Sequence, residues 1–523
     1  MPEIPSIEAM TNAVAGKGHM SRPAPTFAQS EYNVGKYLAY RLEEIGIKDY
    51  FVIPGDFNLL LLDQILKNDN LRLVGCCNEL NAGYTADGYA RSSPQRVAVV
   101  VVTFMVGGLS LINAIAGAYS DRVRVIVVCG APPSDTFGQD SLIHHTTGLK
   151  DRDQALRMFE QVTAASVRLD RTANATAILD GALIECLDKS LPVYIEVPID
   201  IPQMPCESPM PLIVRGPPIP SPNSVRHAFN VFGSHWRAAK RPVIIVGTLA
   251  RHSLATDRLV SLVEKLGCPV FCQPDAKSVF PEPHPQFQGT FWGSASDEAC
   301  LEKVMRADLW VEVGSRWFDY HMVKKPKPPQ VAIQPDHLRA PDGGSINSIT
   351  IEDVCDTIIH SDLNSHYTEP NVSTSDVKLI RDGEGVHKPI NQPLTSARIL
   401  EGIQSILKRG NTLIVEAGDS WFNGQKIKLP YGVDYQKQMM YGSIGWSLPA
   451  ILGSQLARPD GRTILMIGDG SFQMTAQELS TMIRLKANPV IFIFNGLGYK
   501  IQVSRPVDTI EPSNHSDWSE YIP

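Results

Sequence analysis

Several features that would place a protein in a specialised class are scarce or missing in these 523 residues. Basic residues number 48 against 55 acidic ones, a formal net charge of −7, so nothing points to nucleic acid or an anionic membrane as partner. No apolar window approaches the length that spans a bilayer. Residues 1–27 lack an apolar core and contain Glu3 and Glu8, which argues against a secretory or transit peptide. We therefore predict a flexible N-terminal extension on a cytoplasmic protein.

The nine cysteines also lack a pattern that would indicate a structural role. They have no zinc-type spacing, and an odd number in a long chain is typical of reduced thiols. Apolar residues, by contrast, make up 43% of the chain, which is enough for large buried cores. At roughly 150 residues per domain, the length predicts about three domains.

Short apolar runs alternate with helix-like segments along most of the chain. The run at 96–104 is continuous, as in a strand that is buried on both faces of a parallel sheet. Proline-rich residues 204–223 and polar residues 361–392 interrupt the alternation and are typical of linkers. The sequence therefore predicts an α/β fold of three doubly wound parallel-sheet domains. The predicted domains span 28–205, 224–362 and 393–523.

The stretch from Ile464 to Ile501 carries the most information about function. It reads as a strand, an acidic and glycine-containing turn, a helix that Ser471 could cap, a second strand and a glycine-rich turn. Parallel strands end at the same edge of a sheet, so we expect Asp469 and Asn495 to lie where open α/β sheets bind ligands. A helix N-terminus beside them suits phosphate, and their side-chain oxygens suit Mg²⁺ bridging a diphosphate.

The segment GDGSFQMTAQELSTM, followed by an Asn/Gly turn at Asn495, resembles the cofactor motif of the thiamine-diphosphate-dependent 2-oxo-acid decarboxylases, above all the pyruvate decarboxylases. The resemblance extends from about residue 28 to about residue 500. It implies pyrimidine-binding, central and diphosphate-binding domains in that order, with thiamine diphosphate and Mg²⁺ as cofactors. It also implies a small 2-oxo-acid substrate and a homodimer or homotetramer that holds the cofactor at the subunit interface.

Four side chains match, in position and residue type, residues to which the family gives catalytic roles. In CCNELNAGYTADGYAR, Glu79 matches the glutamate beside the aminopyrimidine ring; read alone, it is a first-turn acid favoured by the helix dipole. In IPGDFNL, Asp56 matches the substrate-side aspartate, although the same residue type also caps helices. In SLIHHTTGL, His144 and His145 match a histidine pair that moves protons, although neighbouring histidines also occur by chance on solvated loops.

Further positions match the family's cofactor contacts. In YGSIGW, Ile444 falls on the aliphatic wedge that bends the cofactor, next to Ser443, and Gly442 would offer its carbonyl to the amino group. From composition alone, Ile444 is a core residue. EAGDSWF assigns a cofactor contact to Asp419, which is otherwise a solvated turn residue. The other cofactor contacts that the resemblance implies are Asp469, Gly470, Ser471, Gly496 and Tyr499.

The last turn departs from the family pattern, which usually reads Asn-Asn-x-Gly-Tyr-Thr-Ile-Glu. Here it reads NGLGYKIQ, so Gly496 replaces the metal-binding asparagine and Asn495 stands one residue early. With Gly498 kept as a carbonyl ligand, the implied metal site is Asp469, Asn495, Gly496 and Gly498. Gln502 falls where decarboxylases carry a catalytic glutamate, and an amide cannot donate a carboxylic proton. After this turn the resemblance stops, so the last domain is predicted to be shortened at its C-terminus.

Three functions are compatible with this pattern. The leading prediction is a lyase that decarboxylates a pyruvate-like 2-oxo acid without oxidation, giving an aldehyde and CO₂. Because Gln502 stands in place of the glutamate, an acyloin-forming carboligase is the second. A pseudoenzyme subunit with a weakened cofactor site, assembled with intact homologues, is the third.

Overall fold

The structure is a computed structural model, and it describes residues 31–171, 174–214, 216, 219–323, 327–363, 365 and 395–495. The extension predicted for residues 1–27 lies outside these ranges. The chain divides into two compact units, one made of Met1–Gly216 with Met440–Pro523 and the other of Pro217–Met439. Within the described ranges, no helix combines the length and the apolar character needed to cross a membrane.

The first unit begins with a sheet in which every pairing is parallel. Its strands are β1 (Asp49–Val52), β2 (Arg72–Gly75), β3 (Val97–Val102), β4 (Arg124–Ala131), β5 (Ser166–Arg168) and β6 (Val193–Pro198). They lie in the order β2-β1-β3-β4-β6-β5. The valine run of β3 is buried along its whole length, because helices cover both faces of a parallel sheet at its centre.

Helices connect these strands. They are α1 (Val34–Glu44), α2 (Leu59–Ile65), α3 (Glu79–Ser92), α4 (Val106–Ser120), α5 (Gln154–Glu160) and α6 (Ala175–Lys189), with a 3₁₀ turn at Ser134–Thr136. The Asn78 side chain caps α3 by accepting a hydrogen bond of 2.8 Å from the Asn81 N–H. This cap makes Glu79 the first residue of its helix, as predicted.

The second unit contains a mixed sheet with strands β7 (Pro242–Val246), β8 (Val270–Cys272), β9 (Phe287–Thr290), β10 (Leu309–Val313), β11 (Gln330–Ile333), β12 (His337–Arg339) and β13 (Ser345–Asn347). They lie in the order β13-β12-β11-β10-β7-β8-β9, with antiparallel pairing at the β11-β12-β13 edge. The parallel pair β14 (Thr412–Val415) and β15 (Asp434–Gln436) belongs to the same unit. The helices of this unit are α7 (Pro222–Ala238), α8 (Ala250–Ser253), α9 (Thr256–Leu266), α10 (Glu298–Met305), α11 (Ile351–Ile359), α12 (Ser396–Ile406) and α13 (Asp419–Gln425).

The chain returns to the first unit at Met440. This part contains α14 (Ser447–Ala457), β16 (Thr463–Gly468), α15 (Asp469–Thr475), α16 (Glu478–Arg484) and β17 (Val490–Phe494). Strands β16 and β17 pair in parallel, from Ile464 opposite Val490 to Gly468 opposite Phe494. The predicted strand, turn, helix and strand are therefore present, with the helical part divided into two short helices.

Helix α14 packs against α3 with backbone touching backbone. A Cβ at Gly88 would lie 2.1 Å from the carbonyl oxygen of Ala450, and one at Gly453 would lie 1.9 Å from that of Thr85. Glycine is required at both positions, since any side chain would force the two helices apart. The helix that begins with Glu79 is therefore held tightly against the C-terminal part of the first unit.

The predicted fold class is confirmed, because the strands form three parallel-dominated sheets with interleaved helices. The three predicted domain limits stay predictions. One local alternative is wrong: Asp56 does not cap α2, which begins at Leu59 with Asn58 in the cap position. The Asp56 carboxylate is instead engaged by His144.

Candidate active site

Two oxygen-bearing side chains follow neighbouring strand ends in the first unit. Gly468 ends β16 and is paired with Phe494, which ends β17, so Asp469 and Asn495 are each the next residue along the chain. Asp469 opens α15, and its Oδ1 accepts a hydrogen bond of 2.9 Å from the Gly470 N–H. Asn495 is exposed. The strands end side by side, as predicted, and we call Asp469 and Asn495 the strand-end site.

The strand-end site has open space beside it. A Cβ added at Gly468 would meet no described atom within 4 Å, whereas one at Gly445 would lie 2.7 Å from the Met474 Cβ. Carboxylate and carboxamide oxygens are ligands that Mg²⁺ accepts, and this ion commonly completes its shell with phosphate oxygens and water. The open strand end and its oxygen donors therefore fit a magnesium-bound diphosphate.

Ser471 lies inside α15 and does not cap it, so that prediction is wrong. The cap position belongs to Gly468, whose extended backbone (φ −76°, ψ 157°) starts the helix three residues earlier than the sequence indicated. The Ser471 side chain is buried in the first turn. The other predicted residues of this region lie outside the described residues: Gly496, Gly498, Tyr499 and Gln502.

Glu79 opens α3 and is partly buried. Its Oε1 lies 3.3 Å from the point where a Cβ on Gly107 would be, so the carboxylate rests against the first turn of α4. Just before the helix, the Cys77 N–H donates to Glu478 Oε2 at 3.3 Å. Glu478 is fully buried, and its Oε1 has no hydrogen-bond partner among the described residues. Sequence reasoning missed Glu478, because a glutamate in a polar helix carries no local sign of burial.

Asp56, His144 and His145 come together in one group, which we call the histidine cluster. His144 Nε2 shares a hydrogen bond with Asp56 Oδ2, and His145 Nε2 lies 3.4 Å from Asp56 Oδ1. The Phe57 ring stacks on His144 with centroids 4.8 Å apart. Partial burial raises the pKa of Asp56, but the hydrogen bond and charge of His144 and the charge of His145 outweigh it, so the net pKa lies below its usual value. Asp56 is therefore ionised at neutral pH.

The segment Gly442–Ile444, which we call the wedge segment, is bounded by glycines with left-handed backbone. Gly442 has φ 64° and Gly445 has φ 87°. The Ile444 side chain is 38% exposed, which argues against the core role that composition alone suggested. After the segment, the Gly445 carbonyl accepts a hydrogen bond of 2.8 Å from Thr475 Oγ1. The large aliphatic side chain of Ile444 is therefore partly exposed on a turn that is hydrogen-bonded to α15.

Asp419 lies in the second unit. It is exposed and opens α13, shortly after the end of β14. The preceding Gly418 has φ 96°, a conformation that favours glycine. This local geometry agrees with a solvated turn and with a ligand contact alike, so the cofactor role of Asp419 stays a prediction.

Comparison with known proteins decides the family. The N-terminal TPP binding domain of thiamine pyrophosphate enzymes matches residues 32–155, the central domain matches 235–354, and the C-terminal TPP binding domain matches 418–508. The chain belongs to the thiamine pyrophosphate enzymes. Thiamine pyrophosphate is thiamine diphosphate under another name, so the cofactor predicted from the sequence is confirmed.

This thiamine pyrophosphate enzyme is similar to pyruvate decarboxylases along most of its length. It is 40% identical to pyruvate decarboxylase 2 of Arabidopsis thaliana over 517 residues, which cover 95% of this chain and 83% of the relative. It is 39% identical to pyruvate decarboxylase 2 of Oryza sativa subsp. japonica over 495 residues (92% and 80%) and 38% identical to pyruvate decarboxylase 1 of Pisum sativum over 502 residues (92% and 83%). The predicted resemblance to 2-oxo-acid decarboxylases is therefore confirmed.

Proposed function

We propose that this chain catalyses the non-oxidative decarboxylation of a small 2-oxo acid such as pyruvate, which yields an aldehyde and CO₂. The observation that carries the proposal is the 38–40% identity to pyruvate decarboxylases across at least 92% of the chain. The geometry supports it, since Asp469 and Asn495 follow two paired strand ends, where their oxygens fit a magnesium-bound diphosphate.

The residues of the first unit are suited to binding and shaping the cofactor. Bound thiamine diphosphate supplies the electron sink for the charge that remains when CO₂ leaves. In our proposal Asp469 and Asn495 would hold Mg²⁺ and with it the diphosphate, Ile444 would lie against the cofactor rings, and the carbonyl of Gly442 would accept a hydrogen bond from the amino group. Glu79 would hold or release a proton beside the aminopyrimidine ring. Further proposed contacts are Ser443, Gly470, Ser471, Gly496, Gly498 and Tyr499. The proposed contact of Asp419, a residue of the second unit, rests on the family resemblance alone.

The histidine cluster is suited to moving protons at the substrate. One proton must be added to the product carbon and one removed from the hydroxyl oxygen before the aldehyde can leave. The ionised Asp56 lies next to both imidazole groups, so a proton can be held at Nε2 of His144 or of His145. Two histidines sharing one carboxylate can therefore serve as acid and base within one turnover.

Gln502 favours a second candidate function, the formation of acyloins. An amide cannot supply a carboxylic proton, so protonation of the product carbon should be slower. The same carbon would then have longer to form a bond to a second carbonyl compound. Product analysis with pyruvate separates the two functions: acetaldehyde is expected from the decarboxylase, and acetoin without free aldehyde from the carboligase.

We further propose that the chain works in the cytoplasm as a homodimer or homotetramer of three-domain subunits. The nine cysteines are free thiols, which agrees with a reducing compartment. In such an assembly Glu79 of one subunit would face the cofactor held by Asp469 of another. Sedimentation of the wild type should give two or four times the monomer mass, and an active monomer would contradict this arrangement.

Dialysed protein tests the proposed decarboxylation. Addition of thiamine diphosphate, Mg²⁺ and pyruvate should give acetaldehyde and CO₂. Glu79→Gln should lower kcat by at least about 100-fold, because the amide cannot exchange the proton. Glu298→Gln changes an exposed glutamate that also opens a helix, α10, and should leave kcat unchanged. Full activity of Glu79→Gln would refute its role, and a wild type that binds no cofactor would point to the pseudoenzyme subunit.

A further inference from the structure

A polar network fastens the wedge segment to helices α3 and α4. The hydroxyl groups of Tyr84 and Ser443 lie 2.5 Å apart. The Asn113 Nδ2 donates to the Tyr84 oxygen at 2.9 Å and to the Ser443 oxygen at 3.2 Å. The Tyr441 hydroxyl donates to Asn113 Oδ1 at 2.8 Å. Asn113 therefore contacts all three other side chains, and the whole network lies within the first unit.

The two helices that carry Tyr84 and Asn113 are firmly packed. Next to these residues, a Cβ on Gly83 would lie 2.6 Å from the Ala114 Cβ, so α3 and α4 are in close contact at this level. Helix α3 is also held against α14 at Gly88, where the backbones touch. The network thus joins the wedge segment to a rigid support.

Other contacts of the wedge segment involve its backbone: the Ser443 carbonyl accepts a hydrogen bond of 3.2 Å from the Trp446 N–H, and the adjoining Gly445 carbonyl accepts one of 2.8 Å from Thr475 Oγ1. Its bounding residues Gly442 and Gly445 have positive φ values, and glycine loses more conformational freedom on ordering than any other residue. The exposed Ile444 side chain adds little packing. Hydrogen bonds to Ser443, the residue directly before Ile444, are therefore well placed to determine the direction of the Ile444 side chain.

We propose that Tyr84 and Asn113 are positioning residues for the reaction. Acting through Ser443, they hold the wedge segment so that Ile444 keeps the bound cofactor in its reactive, bent conformation. This inference rests on the proposed function, which gives Ile444 the wedge role. Neither residue touches the reacting atoms, so their loss slows the activation of the cofactor while the strand-end site still binds the diphosphate.

The alternative is that these hydrogen bonds only stabilise the fold. Helix α3 also offers a matched control, because Ser92 on α3 donates to Ser454 on α14 at 2.8 Å, away from the wedge segment. Ser92→Ala removes a buried hydrogen bond between the helices and leaves the wedge segment untouched. A purely structural role predicts similar behaviour for Tyr84→Phe, Asn113→Ala and Ser92→Ala.

The first experiment measures hydrogen–deuterium exchange at the reactive carbon of bound thiamine diphosphate, by acid quench and proton NMR at full cofactor occupancy. We expect Asn113→Ala to slow this exchange by about 10-fold or more and Tyr84→Phe by less, since Asn113 still holds Ser443 when the Tyr84 hydroxyl is lost. Ser92→Ala should exchange like the wild type. Calorimetry should show cofactor dissociation constants within about 3-fold of the wild type for all three variants.

The second experiment needs no cofactor. Amide hydrogen exchange across residues 441–445 of the cofactor-free protein should be faster in Tyr84→Phe and Asn113→Ala than in the wild type, and unchanged in Ser92→Ala. This readout reports the attachment of the wedge segment itself.

Two results would overturn the inference separately from the proposed function. If the wild type accelerates exchange at the reactive carbon but both network variants match it, the network does not position the wedge. If amide exchange across 441–445 is the same in all proteins, the network does not hold the segment. A wild type that binds cofactor without accelerating carbon exchange would instead overturn the proposed function, and the positioning role with it.

Discussion

The strand-end site and the histidine cluster share one compact unit but are built differently. At the strand-end site, the parallel register of β16 and β17 fixes where Asp469 and Asn495 stand, since each follows one of two paired residues. In the histidine cluster, side chains from two separate turns hold one another, and Asp56 and His144 are 48% and 60% exposed. The backbone therefore determines where the side chains of the strand-end site lie, whereas the histidine cluster depends on side-chain contacts that one substitution can remove.

The largest expected effect is at Asp469. Asp469→Asn replaces a charged Mg²⁺ ligand with a neutral one, so the affinity for thiamine diphosphate with Mg²⁺ should fall on the order of 1000-fold. Calorimetry on dialysed protein measures this change. Asp460→Asn, an exposed aspartate shortly before β16, is the control and should leave the affinity unchanged. Equal affinities in Asp469→Asn and the wild type would show that the strand-end site does not hold the metal.

His144→Asn tests the other side of the comparison. It removes the ring nitrogen that contacts Asp56, so kcat should fall about 100-fold while the cofactor dissociation constant stays within about 2-fold. Steady-state kinetics and calorimetry measure the two quantities. His337→Asn is the matched control, because His337 Nδ1 lies 2.8 Å from Asp336 in the second unit. A large loss of cofactor affinity in His144→Asn would contradict the separate roles of the strand-end site and the histidine cluster.

Backbone-determined regions should not tolerate added atoms. Gly88→Ala would place a Cβ 2.1 Å from the Ala450 carbonyl oxygen, so the free energy of unfolding should fall by roughly 1–3 kcal/mol. Denaturant unfolding measures this loss. Gly402 lies on α12, and a Cβ there would meet no described atom within 4 Å. In Gly402→Ala the free energy of unfolding should therefore stay equal or rise by up to about 1 kcal/mol. Unchanged stability in Gly88→Ala would mean that α3 and α14 are not locked together.

The smallest expected effect is on stability at Asp56. Its pKa is lowered in the folded state, so its ionised form stabilises the fold above its usual pKa of 3.8, and this contribution is lost as the pH falls below that value. Because the side chain is 48% exposed, solvent screens the interaction. Asp56→Asn should therefore change the free energy of unfolding by less than about 1 kcal/mol between pH 5 and 8. A larger loss at pH 7 in denaturant unfolding would contradict an exposed, side-chain-held cluster.

The two regions also differ in how far the sequence alone could predict them. Asp469 and Asn495 could be placed because their apolar runs indicate parallel strands, and such strands end at one edge. The cap at Ser471 was wrong because Gly468, without any side chain, occupies the cap position through its backbone conformation. The histidine cluster was expected only from the family resemblance, since no local pattern links Asp56 to a histidine 88 residues away.

The network around Ser443 lay beyond sequence reasoning altogether. Tyr84 and Ser443 are 359 residues apart, and Tyr441 and Asn113 are 328 apart. Tyr84 lies in a helix of mixed polarity and Asn113 in a largely apolar one, and neither composition indicates a contact between them. Such contacts arise from tertiary packing, which helical periodicity and turn chemistry do not encode.

One titration tests the central claim most directly: thiamine diphosphate added to dialysed wild-type protein, with and without Mg²⁺. We predict saturable binding that depends on Mg²⁺ and is lost in Asp469→Asn. Absence of binding in the presence of Mg²⁺, or equal binding with and without it, would contradict the account of two strand ends that hold a diphosphate through the metal.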